Sequence, residues 1–145
     1  MKPGVSFGDL VAISAIASIL GGFSCGFGFV AFSFDNSYWS DYPGNAAASS
    51  FMAGVFGLIL GLFTAWPLGV IFGEACRRMM GGGKFASALA GAITGLALAS
   101  LLDGFRMPPS AEAYIYGAVF PAVGSAAALL ARYQVVERTA VFKPD

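Results

Sequence analysis

The sequence has no histidine, only two cysteines, and charged side chains at just 11% of its positions. The missing histidine removes the usual axial ligand of haem, the commonest ligand of zinc and copper, and the commonest general base. Two cysteines cannot hold a metal cluster. Cys25 and Cys76 also fall at different depths in the architecture read below, so no disulfide is expected and both read as small apolar residues. Gly22-Phe23-Ser24-Cys25-Gly26 fits G-x-S-x-G in letters, but it lies inside a long apolar run rather than at a strand-to-helix turn, and no histidine is present to serve as its base. No catalytic residue, metal site or cofactor is predicted, and the chain is not expected to be an enzyme. Eight basic and eight acidic residues cancel, so nothing points to nucleic acid as a partner.

The few charges are also unevenly spread. An ordinary globular domain carries roughly 25% charged residues, whereas this chain is 57% hydrophobic. No charge falls within 10–34, 51–73, 85–102 or 113–131, stretches of 25, 23, 18 and 19 residues. A helix crosses the hydrocarbon core with about 20 mostly apolar residues at 1.5 Å each. The sequence therefore predicts an all-α polytopic membrane protein with four transmembrane helices, at about 9–34, 50–76, 85–103 and 111–132. They would form one transmembrane domain, 1–133, followed by a short tail, 134–145, with membrane lipid as the surrounding partner. Lys2 and the apolar run after it resemble a signal peptide. The run continues to Phe34, however, well beyond a core of roughly 7–15 residues, so a retained first helix is expected. Cys25 is not read as a lipid-attachment site, because Gly22-Phe23-Ser24 supplies no aliphatic residue three positions upstream.

Orientation follows from the cations. Lys2, Arg77, Arg78, Lys84, Arg132, Arg138 and Lys143 all fall on one side of a four-span topology, and only Arg106 falls on the other. The positive-inside rule then places both termini in the cytoplasm, most simply of a bacterial inner membrane, with the helices antiparallel. The first outer loop, 35–49, carries Tyr38, Trp39 and Tyr42, rings suited to the membrane–water interface, and Pro43-Gly44 reads as a turn. Trp39 is a candidate partner contact. Gly81-Gly82-Gly83-Lys84 reads as a tight hairpin; Phe85 after the lysine excludes a phosphate-binding loop. In the second outer loop, Asp103-Gly104 and Met107-Pro108-Pro109-Ser110 stop one helix and start the next.

Small residues recur every four positions. The second span has Ala53, Gly57, Gly61, Ala65, Gly69 and Gly73; the third has Ser87, Gly91, Gly95 and Ala99; the first has Ser14, Ser18, Gly22 and Gly26. A spacing of four puts each set on one helix face. Apolar side chains gain little by leaving lipid, so helices associate through close van der Waals contact, which small residues permit. A tightly packed bundle is expected, with the second and third spans central. Pro67 and Pro121 interrupt the second and fourth spans and free the carbonyls of Phe63 and Gly117, which makes them candidate hinge or pathway positions.

The carboxylates lie at span ends. Ser6 and Asp9 have capping-box spacing, Glu74 precedes Arg78 by four, and Glu112 suits a helix N-terminus. Asp103, at a helix C-terminus, is expected to pair with Arg106; otherwise it is the first candidate for a partner or ion contact on the outer face. No span contains an ionisable group, which disfavours a proton-coupled exporter. The leading expectation is a non-catalytic accessory or assembly subunit of a larger membrane complex, packing on other subunits or on itself through the Gly/Ala faces. The alternative is a small homo-oligomeric channel or transporter for an uncharged solute or small ion.

Overall fold

The computed structural model describes the backbone of residues 5–33, 35–102 and 111–137, and the side chains of 5–32, 35–101 and 117–137. Five helices follow one another: α1 (Phe7–Ser33), α2 (Asn36–Asp41), α3 (Pro43–Met80), α4 (Lys84–Leu102) and α5 (Ala111–Arg132), which runs into one π-helical turn, Tyr133–Glu137. Among the described residues there is no strand. Four helices are long and apolar enough to cross a membrane: Phe7–Phe32, Pro43–Met80, Lys84–Leu101 and Gly117–Glu137.

The ends of these helices follow local chemistry. Ser6 and Asp9 satisfy each other at the start of α1: the Ser6 amide donates to Asp9 Oδ2 at 2.9 Å and the Asp9 amide to Ser6 Oγ at 3.1 Å. Asp35 caps α2 by accepting from the Tyr38 amide at 2.7 Å and the Ser37 hydroxyl at 2.9 Å. Pro43 does not make a turn. It stands at the first position of α3, where its missing N–H costs nothing. The helix therefore starts seven residues before the expected boundary of 50 and ends at Gly81, whose φ of 77° suits glycine. Its 38 residues make a rod of about 57 Å at 1.5 Å per residue, nearly twice the hydrocarbon thickness of roughly 30 Å.

The helices close into a ring. Among the described residues, α1 packs on α3 and α5, and α4 packs on α3 and α5, while the diagonals α1–α4 and α3–α5 scarcely touch. No helix is central, in contrast to the expectation for the second and third spans. The most extensive seams join α1 to α3 and α4 to α5, giving two helix pairs set side by side. Size sorts inside from outside: Ala65, Ala90, Ala99, Ala127, Ala128, Ser14, Ser18 and Thr94 are buried, whereas Phe63 is 79% and Phe85 72% exposed. That is the reverse of a water-soluble core and suits a lipid exterior around a close-packed interior.

Candidate functional site: the seams and the cleft between helix pairs

The α1–α3 seam is a backbone-to-backbone contact. A Cβ added to Gly57 would collide with the carbonyl oxygen of Gly22, one on Gly22 with that of Gly57, and one on Gly26 with that of Ala53. Further along, a Cβ on Gly61 would lie 2.7 Å from Ser18 O, and one on Gly73 2.6 Å from Leu10 Cδ1, while Gly69 faces Ser14 at an ordinary 3.4 Å. Ala65 of the same row is buried. The Trp66 indole adds a hydrogen bond across this seam to Val11 O at 3.3 Å.

The α4–α5 seam is built alike. Gly91 and Gly124 are mutually exclusive with any side chain, since each would drive a Cβ into the other's carbonyl oxygen. A Cβ on Gly95 would meet Phe120 O and, at 2.8 Å, the nitrogen of Pro121. Ala99 is buried, and the Ser125 hydroxyl donates across the seam to Ala88 O at 3.0 Å. Gly124 was not among the sequence candidates, although Gly124, Ala128 and Arg132 repeat the same spacing of four on α5. Gly54 was also missed; the ring of Phe23 fills the space where its Cβ would stand.

Between the two pairs lies a cavity of about 880 Å³, within the usual range for a small-molecule site, lined by all four long helices. Its wall is chiefly apolar, with Phe29, Phe56, Leu60, Leu98 and Leu101 alongside the seam glycines and Ser87. Three of its hydroxyls are spent on their own helices: Ser18 donates to Ser14 O at 2.7 Å, Thr64 to Leu60 O at 2.7 Å and Thr94 to Ala90 O at 2.8 Å. Among the described residues, Arg77 is its one charged wall residue, at the end that also holds Val5 and Gly82.

That end concentrates charge. Arg77 grips Glu74 through Nε at 2.7 Å and Nη2 at 2.9 Å, and Arg78 Nε reaches the same carboxylate at 2.7 Å. Lys84 pairs with Glu137 at 2.9 Å. Arg132 differs from these three: it is only 8% exposed, and its Nε and Nη1 are buried with no hydrogen-bond partner among the described residues. From the sequence, Arg132 bears only on orientation. Its place four residues beyond Ala128 was the available signal that it faces inward.

Of the remaining candidates, Pro67 is exposed and lies outside the cavity wall, and α3 continues through it as one helix. Pro121 is half-buried against Gly95, and its neighbour Phe120 lines the cavity. The Trp39 indole donates to Ala31 O at 3.1 Å, tying α2 back to the end of α1. Asp103, Arg106 and the side chain of Glu112 lie outside the described residues. Cys25 and Cys76 are free thiols, and no three His, Cys, Asp or Glu side chains converge among the described residues. Comparison with protein-family models, with curated proteins and with solved structures yields no match, so function is argued from this geometry alone.

Proposed function

We propose that the chain is a non-catalytic protein of a bacterial cytoplasmic membrane, with both termini in the cytoplasm and its helices antiparallel. Its two helix pairs hold a guest whose portion within the cleft is apolar and uncharged. The observation that carries this reading is the cavity of about 880 Å³ to which all four long helices contribute. The glycine rows do not need a foreign helix, because α1 and α3, and α4 and α5, already bring their backbones together through them. This reading stands nearer to a small channel or transporter for an uncharged solute than to a packing subunit. Four of the wall hydroxyls, those of Ser18, Thr64, Ser87 and Thr94, donate to backbone carbonyls four residues earlier, which leaves little for a hydrated ion.

A second reading, an accessory or assembly subunit, is supported by α3. A rod of about 57 Å outruns the hydrocarbon core, and α2 is tied beside the end of α1 by Trp39, which provides a platform for another subunit beyond the bilayer. Native purification in mild detergent separates the two, with mass spectrometry of co-migrating proteins and of solvent-extracted small molecules. A reproducible apolar guest on a chain free of other proteins is the expected result. Stoichiometric partner proteins with an empty cavity would replace it by the subunit reading.

A further inference from the structure

We infer that the guest is an anionic phospholipid, its acyl portion in the cleft between the helix pairs and its phosphate held by Arg132. This rests on the proposal that the cleft holds a guest, and names its class. Two independent observations converge on it. The first is Arg132, a guanidinium more than nine-tenths buried whose Nε and Nη1 have no hydrogen-bond partner among the described residues. Arginine stays charged at any physiological pH, and a buried, unpaired cation is strongly unfavourable, so the site calls for an anion. No described carboxylate at this end is paired with it: Asp9 accepts from Ser6, Glu74 is held by Arg77 and Arg78, and Glu137 by Lys84. The planar guanidinium suits phosphate oxygens better than a point charge does.

The second observation is the cleft. Ala128, one helical turn before Arg132, is part of its wall, as are Val5 and Arg77 at the same end, and from there the wall continues to Leu101 in predominantly apolar residues. An amphiphile with one anionic end matches that polarity. The same end carries Arg77, Arg78, Lys84 and Arg132 against Asp9, Glu74 and Glu137, an excess of one positive charge among the described side chains. It is also the end that the positive-inside rule directs to the cytoplasmic leaflet, where anionic headgroups are found and basic pockets between helices bind them.

The test is native mass spectrometry of the full chain in mild detergent containing equal phosphatidylglycerol and phosphatidylcholine, alongside thermal unfolding with each lipid or with inorganic phosphate. One phosphatidylglycerol per chain is expected, favoured about tenfold over phosphatidylcholine, a ratio equivalent to about 1.4 kcal/mol. That preference should vanish in Arg132→Gln and survive in Arg78→Gln, whose side chain is 77% exposed. Equal binding of the two lipids, or a preference unchanged in Arg132→Gln, would overturn the proposal. Inorganic phosphate stabilising the chain as well as phosphatidylglycerol does would make Arg132 a site for a free anion and overturn the lipid assignment. Should Arg132→Gln not fold, Leu98→Trp in the cleft wall takes its place: it should lose the phospholipid, and full retention would refute the assignment. A different apolar molecule displaced by Leu98→Trp, with no lipid preference, would sink this inference and leave the guest-holding cleft standing.

Discussion

Gly22 of α1 and Gly57 of α3 meet so closely that a Cβ on either would strike the other's carbonyl oxygen. Backbone cannot swing aside as a side chain can, so the helices would have to separate along the whole seam. Overpacking a close-packed interior typically costs about 1–3 kcal/mol, and Gly57→Val should lie at or above the top of that range. Gly117→Ala is the matched control. It puts a methyl into open space on α5 and should be neutral or stabilising by up to about 1 kcal/mol, because alanine is the better helix former. Thermal unfolding in one detergent would measure both. Equal effects would mean that the seam is looser than described.

These glycines were legible as a pattern, and the pattern had limits. Charge-free length and the spacing of four are properties of single helices, so four spans and the rows on α1, α3 and α4 could be read directly. Which row mates with which is a property of pairs. The Gly22 row meeting the Gly57 row, and the Gly91–Gly95 row meeting Gly124 and Phe120, could not be derived from either member alone. Pro43 misled because proline is as much at home at the first position of a helix as in a turn. Arg132 was overlooked for another reason. A cation at a span end is ordinarily assumed to reach water, whereas here the row through Gly124 and Ala128 turns it inward.

Hydroxyls provide a second contrast. Ser125 donates across the α4–α5 seam to Ala88 O at 3.0 Å, whereas Ser100 donates to Leu96 O, also at 3.0 Å, within α4. Interhelical hydrogen bonds in membranes average about 0.6 kcal/mol, with a maximum near 1.7. Ser125→Ala should cost an amount in that range, and Ser100→Ala should cost nothing measurable, because its loss leaves the helix ladder intact. Unfolding of both variants in the same detergent checks this. Equal losses would assign the Ser125 effect to something other than its cross-helix bond.

Asp35 gives the α2 end of the bundle a pH dependence. The Tyr38 amide and then the Ser37 hydroxyl hold its carboxyl below the ordinary aspartate value, against a small opposing effect of desolvation. The sign follows from the direction of that shift. The cap is fully effective above the unfolded value of about 3.9, and its contribution is lost as pH falls through the lower folded value. Protonation should release α2, and with it the Trp39 indole from Ala31 O. In a Trp66→Phe background, Trp39 fluorescence should change with a midpoint below about 3.9. Asp35→Asn should abolish that transition, since asparagine caps without titrating. A midpoint at or above the ordinary value would deny the hydrogen bonds their role.

Orientation decides which leaflet the Arg132 end faces, and two sites in a background lacking Cys25 and Cys76 would resolve it. Ser37 lies in α2, exposed, and Met79 is 84% exposed near the Arg77–Glu74 cluster. A membrane-impermeant maleimide should label Ser37→Cys in intact cells and reach Met79→Cys only after permeabilisation. The cations around Arg77 cross a bilayer at greater cost than the carboxylates Asp35 and Asp41 at the other end of the bundle, which is the physical content of the positive-inside bias. If labelling came out reversed, the guanidinium of Arg132 would face the outer leaflet. Its anion would then have to come from that side, and lipid selectivity in asymmetric vesicles should reverse with it. Labelling of both sites in intact cells would instead indicate mixed orientation, which so one-sided a distribution of lysine and arginine argues against.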